Sequence, residues 1–101
     1  MSILEKFSLS GQVAIITGAG KGIGAGIART FAQAGADVVI GARTEADLRA
    51  VAKDVESYGR RALVVPTDVL DFAALQNLAD RAMAEFGRID LLVNNAGGFP
   101  P

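Results

Sequence analysis

Neither cysteine nor histidine occurs among the 101 residues. The first absence excludes disulfides and thiolate catalysis and fits a reducing compartment. The second removes the commonest metal ligand and the commonest general base. No sign of charge dominates: 10 Lys and Arg stand against 11 Asp and Glu, a net charge of -1. A basic excess that would recommend nucleic acid is therefore missing, and any cation that matters must act locally. No apolar run approaches membrane-spanning length, and residues 1–10, with Glu5 and Lys6 among them, lack the apolar core of a signal peptide. These absences lead us to expect a cytoplasmic protein with neither a membrane nor a nucleic acid as partner. What is abundant is apolar content, 50%, and glycine, 12 residues, in a chain about one domain long.

Apolar, strand-like runs recur at residues 13–16, 38–40, 62–65 and 89–93, and segments of helical spacing lie between them. The spacing predicts helices over about 22–34 and 45–58, and a third with Leu75, Leu78, Ala79, Ala82, Met83 and Phe86 on one stripe. Thr44 with Asp47 three residues on resembles a capping box, and Asp71 is placed to cap the third helix. Gly35, Gly59 and Gly87 each follow a last periodic residue, where a left-handed C-terminal residue is wanted. Because the strand runs are continuously apolar, the sheet they predict is parallel and covered on both faces. The fold class is α/β, a doubly wound Rossmann-type sheet, of which these are the first four strands in the order 3-2-1-4. A dinucleotide-binding sheet of this kind has six strands in two halves, ordered 3-2-1-4-5-6. There the fourth strand is interior, so Ile89, Leu91, Leu92 and Val93 would otherwise form an aggregation-prone edge. The sequence is therefore expected to be the leading portion of a longer protein, or to have its sheet completed by another chain.

The most informative stretch is Thr17-Gly18-Ala19-Gly20-Lys21-Gly22-Ile23-Gly24, set between the first strand and the helical pattern Ile27, Ala28, Phe31, Ala32. Glycines let a backbone turn sharply and bring its N–H groups against a pyrophosphate at the positive end of the helix. Gly20-Lys21-Gly22-Ile23-Gly24-Ala25 fits the loose fingerprint G-x-G-x-x-A. A P-loop is excluded because no Ser or Thr follows a Gly-Lys pair. The end of the second strand bears on which dinucleotide is bound. An acidic residue about 20 positions past the glycines holds the ribose hydroxyls of NAD, whereas a basic group accommodates the 2′-phosphate of NADP. Here the chain reads Ile40-Gly41-Ala42-Arg43-Thr44, with Arg43 and no carboxylate at that place. NADP(H) is expected over NAD(H).

Read as T-G-x-x-x-G-x-G, with Thr17, Gly18, Gly22 and Gly24 fixed, the turn resembles that of the classical short-chain dehydrogenase/reductase family. A second motif, Asn94-Asn95-Ala96-Gly97 after the fourth strand, resembles the N-N-A-G of the same family. A third, Thr67-Asp68-Val69, resembles its adenine-contacting Asp with an apolar neighbour. Lys21 stands in the glycine turn as it does in NADP-preferring members. The resemblance covers about residues 11–98 and implies cofactor contacts from Thr17, Gly18, Gly20, Lys21, Gly22, Ile23, Gly24, Arg43, Thr44, Asp68, Val69, Asn95, Ala96 and Gly97. For Asn94 it leaves scaffold and ligand contact open, and for Asp68 the cap of a turn is the other reading. It implies NADP(H)-dependent hydride transfer with a small carbonyl or alcohol substrate, and a homo-tetramer. The family's Tyr-x-x-x-Lys and catalytic Ser have no match: the one tyrosine, Tyr58, has Ala62 four positions on. No catalytic residue and no metal ligand is assigned within the chain. Ketoacyl thioester, steroid and small ketone all stay open as substrates. Two alternatives stand beside this reading. One is a non-catalytic dinucleotide-binding module; the other is an extended-type relative, disfavoured because T-G-x-x-G-x-x-G needs glycine where Lys21 stands.

Overall fold

A computed structural model describes residues 8–95. Among these, four strands alternate with three helices: β1 (Val13–Thr17), α1 (Gly22–Gln33), β2 (Asp37–Ala42), α2 (Glu45–Ser57), β3 (Ala62–Pro66), α3 (Phe72–Phe86) and β4 (Leu91–Asn94). The strands form one parallel sheet in the order β3-β2-β1-β4. β1 is paired on both sides, and its end residue Thr17 lies opposite Gly41 of β2 and Asn94 of β4.

The two-residue period of a strand divides the core. Ile16, Val38, Ile40 and Val64 pack on one face against Ala25, Ala28 and Ala32 of α1 and Leu48, Val51 and Val55 of α2. Val13, Ile15, Val39 and Val65 pack on the other against Leu78 and Ala82 of α3. All five residues of β1 are buried, which is why the run is continuously apolar up to Thr17. Among the described residues, the first face carries two helices and the second one. On that second face a groove of about 420 Å³ runs between α3 and the sheet, lined by Ile15, Leu75, Leu78, Ala79, Ile89 and Leu92, with Thr17, Asn94, Val69 and Leu70 completing it. Leu92 is 69% exposed there.

Helix exits follow local chemistry, and so does the start of α3. The Asp71 carboxylate accepts from the Ala73 N–H, and Gly35, Gly59 and Gly87 all have positive φ at the helix exits. Thr44 does occupy the N-cap of α2, but its side chain makes no capping hydrogen bond. The capping box expected there does not form: the Thr44 hydroxyl makes no cap, and the Asp47 carboxylate that would supply the other half faces Lys21. β4 also begins later than the apolar pattern implied: Ile89 and Asp90 precede it. Asp90 instead clamps the start of β1. Its carboxylate accepts from the Val13 N–H at 2.8 Å and from Arg88, while its own N–H donates to the Val13 carbonyl at 2.9 Å. The Arg88 hydrogen bonds first, then the Val13 N–H, hold the Asp90 carboxyl below its ordinary value, and the same contact raises Arg88.

Candidate cofactor site

The site forms where the chain reverses direction across the sheet. From β1 it passes to β2 on one side and later returns to β4 on the other, so a crevice opens at the carboxyl ends of β1 and β4. Thr17 closes the floor of that crevice. It is 3% exposed, and its hydroxyl lies 3.4 Å from the Val93 carbonyl and 3.1 Å from Asn94 Oδ1 while accepting from the Asn95 N–H at 3.1 Å. Thr17 and Asn94 thus hold the end of β4 to the end of β1, a scaffold arrangement for Asn94.

The glycine turn sits above this floor. Gly18 and Gly22 have φ of +63° and +58°, a region that side chains with a Cβ rarely adopt. Nothing lies within 4 Å of where a Cβ on Gly22 would stand, so the turn is open on that side. Gly24 is the reverse case. A Cβ there would lie 2.1 Å from the Gly18 carbonyl oxygen and 2.8 Å from the Asn95 side-chain nitrogen. Only glycine lets α1 begin directly beneath its own turn and beside Asn95.

The three helix starts differ in charge. α2 carries Glu45 and Asp47 in its first turn, and α3 is capped by Asp71. α1 has no acidic residue in its first turn, and its N-cap, Lys21, supplies no side-chain cap. Its leading N–H groups therefore keep their capacity to bind an anion. The end of β2 lies close by: a Cβ on Gly20 would come within 3.6 Å of the Ala42 Cβ. This brings the turn bearing Lys21 beside the segment Ala42-Arg43. Each cation has a partner carboxylate, Lys21 Nζ at 3.6 Å from Asp47 Oδ2 and Arg43 Nη2 at 3.5 Å from Asp68 Oδ1.

The remaining expected contacts divide. Asp68 caps a turn, accepting from the Leu70 N–H at 3.0 Å, and also meets Arg43. Val69 borders the groove under α3, and Thr44 follows Arg43 at the start of α2. Ile23 is 75% exposed on the first turn of α1. Ala96 and Gly97 lie outside the described residues. Tyr58 ends α2 at the opposite edge of the sheet, since a crossover helix runs antiparallel to its strands, and Ser57 beside it donates to the Asp54 carbonyl. Asp47 was read from the sequence only as a capping residue, yet it borders the glycine turn. Its position in the first turn of the helix after β2 was the available signal.

A parallel sheet with a glycine turn and an uncapped helix start at its switch point is a Rossmann-type nucleotide-binding fold. The sequence profile of the short chain dehydrogenases matches residues 12–101, and the chain belongs to that oxidoreductase family. It is 48% identical over 99 residues to an uncharacterized oxidoreductase of Mycobacterium tuberculosis, covering 98% of this chain and 38% of that protein. A hydroxysteroid dehydrogenase from Escherichia coli superposes with a TM-score of 0.91 at 42% identity, over 96% of this chain and 41% of that one. A metagenomic short-chain oxidoreductase solved in complex with NADP superposes with a TM-score of 0.84 at 46% identity, over 89% and 41%. The chain spans little more than a third of the length of the curated relatives it matches.

Proposed function

We propose that this chain is the cofactor-binding, N-terminal part of a single Rossmann domain in an NADP(H)-dependent oxidoreductase acting on a carbonyl or alcohol. The observation that carries the reading is the glycine turn. Gly24 packs on Gly18, Gly22 is open above, and the uncapped start of α1 stands beside Lys21 and Arg43. A bound nicotinamide dinucleotide supplies the hydride exchanged with the substrate. This chain's residues do the holding: N–H groups of residues 18–24 take the pyrophosphate, Lys21 and Arg43 take the 2′-phosphate, and Thr44 borders it. Asp68 and the Val69 backbone meet the adenine, and Asn95, Ala96 and Gly97 line the ribose side. No residue here is given a catalytic role, so the acid–base chemistry belongs to chain outside these residues.

The groove under α3 and the exposed edge of β4 support further strands and helices packing there, supplied by the same polypeptide or by another copy. A cytoplasmic homo-tetramer with a small-molecule substrate is the wider setting. The metagenomic relative bound to NADP supports the choice of dinucleotide. Titration of the full-length protein with NADPH and NADH, followed by fluorescence, tests the reading. Micromolar binding of NADPH with weaker NADH is expected, at about 8 kcal/mol of binding free energy. Indifference to both at millimolar concentration refutes it.

A further inference from the structure

We propose that Asp47 narrows the preference of this site for NADP(H), as a resident counter-ion that opposes binding of the 2′-phosphate. The proposal rests on the NADP(H) reading above and deepens it. Two acids occupy the first turn of α2, and they behave differently. Glu45 pairs along its own helix with Arg49 at 3.6 Å. The Asp47 side chain instead projects from the first turn of α2 against the glycine turn. Its Cβ stands 3.0 Å, and its Oδ2 3.8 Å, from the place a Cβ on Gly20 would take, with Lys21 Nζ 3.6 Å from Oδ2.

The exposures show which partner is the more enclosed. The Asp47 side chain is 31% exposed and that of Lys21 is 83%. The carboxylate is seated between α2 and the turn while the ammonium reaches it from solvent. The second cation is likewise engaged, Arg43 with Asp68. Lys21, Arg43, Asp47 and Asp68 together sum to zero charge, so the pull of the two cations on a dianionic phosphate is partly offset by their resident carboxylates. A 2′-phosphate must draw Lys21 from Asp47 and then face that carboxylate as a like charge. A 2′-hydroxyl carries no charge and meets neither cost. Asp47 therefore narrows the preference that Lys21 and Arg43 would create alone. Asp68 cannot be tested in the same way, because it also binds the Leu70 N–H and is assigned to the adenine.

The test compares Asp47→Asn with the unaltered full-length protein, using NADPH and NADH titrations at low and high salt. NADPH is expected to bind about fivefold more tightly in the variant, the scale of one exposed charge pair. NADH affinity stays the same, and the gain disappears near 1 M NaCl, where screening reaches ~3 Å. Asp47→Ser should give the same shift, and thermal denaturation of both variants shows whether they are folded. An unchanged ratio of the two affinities, or a ratio moved toward NADH, overturns the proposal while leaving the NADP(H) reading intact. Failure of the unaltered protein to bind either dinucleotide overturns both.

Discussion

An alanine at position 24 would place its Cβ 2.1 Å from the Gly18 carbonyl oxygen, 2.7 Å from the carbonyl carbon and 2.8 Å from the Asn95 side-chain nitrogen. Ordinary contact begins at 3.4 Å, so the overlap with Gly18 exceeds an ångström and falls on backbone, which has no rotamer to change. Either α1 backs away from the sheet or the glycine turn moves. Overpacking of this kind costs about 1–3 kcal/mol, and the backbone partners put Gly24→Ala at the upper end. A displaced turn also misdirects its N–H groups. Losing one charge-assisted hydrogen bond, about 1.5–3 kcal/mol, lowers dinucleotide affinity by about 10- to 100-fold. Two neighbours serve as controls. Gly22→Ala meets nothing within 4 Å but must hold a φ of +58°, a cost of about 1–2 kcal/mol. Gly26→Ala meets nothing either and lies inside α1, where alanine is worth about 0.5–1 kcal/mol over glycine. Urea denaturation and NADPH titration of the three variants should therefore rank Gly26→Ala above the parent, Gly22→Ala below it and Gly24→Ala lowest. A Gly24→Ala protein as stable as Gly26→Ala, binding NADPH like the parent, would refute the close-approach argument.

Thr17→Val keeps the shape of a buried side chain but removes its hydroxyl from Asn94 Oδ1 and from the Asn95 N–H. A loss of about 1–3 kcal/mol in urea denaturation is expected; a neutral result would mean water replaces the hydroxyl. Asp90 gives a pH signature. Its carboxyl is lowered in the folded state, so its contribution is complete above about pH 4, the ordinary carboxylate value, and is lost as pH falls through the depressed one. Asp90→Asn should flatten the acid side of a stability–pH curve, and an unchanged acid limb would contradict the clamp on Val13. Ala42→Asp combined with Arg43→Ser should reverse the preference between NADPH and NADH, a shift of about 10²-fold from one lost charge-assisted contact and one added carboxylate. Unmoved affinities would show that the end of β2 does not meet the ribose.

Much of the fold was legible because local rules and tertiary demands coincide. The continuously apolar runs matched strands buried on two faces, and the glycines at 35, 59 and 87 marked helix exits through positive φ. The order β3-β2-β1-β4 matches that expected from the glycine turn and the usual dinucleotide-binding sheet. What escaped was decided by contacts between distant segments. Thr44 and Asp47 have capping-box spacing, but the Asp47 carboxylate is drawn to Lys21, 26 positions earlier. Ile89 continues the apolar run of β4, yet the Asp90 clamp on Val13 starts the strand later and leaves Ile89 lining the groove. The cations at 21 and 43 were visible, but their carboxylate partners were not, since each pair joins segments distant in sequence or on different elements. Periodicity sees a residue's face and is blind to what another loop places against it.

The contact between Gly24 and the Asn95 side chain bears on the order of events during synthesis. A ribosome delivers the glycine turn early, but the amide that flanks it, and the N–H that Thr17 awaits, emerge some seventy positions later. Until then the growing polypeptide holds a helix start with one wall missing. On the proposed reading, competence for the dinucleotide awaits β4 rather than arriving with β1, and nucleotide capture would report that the two strands have joined.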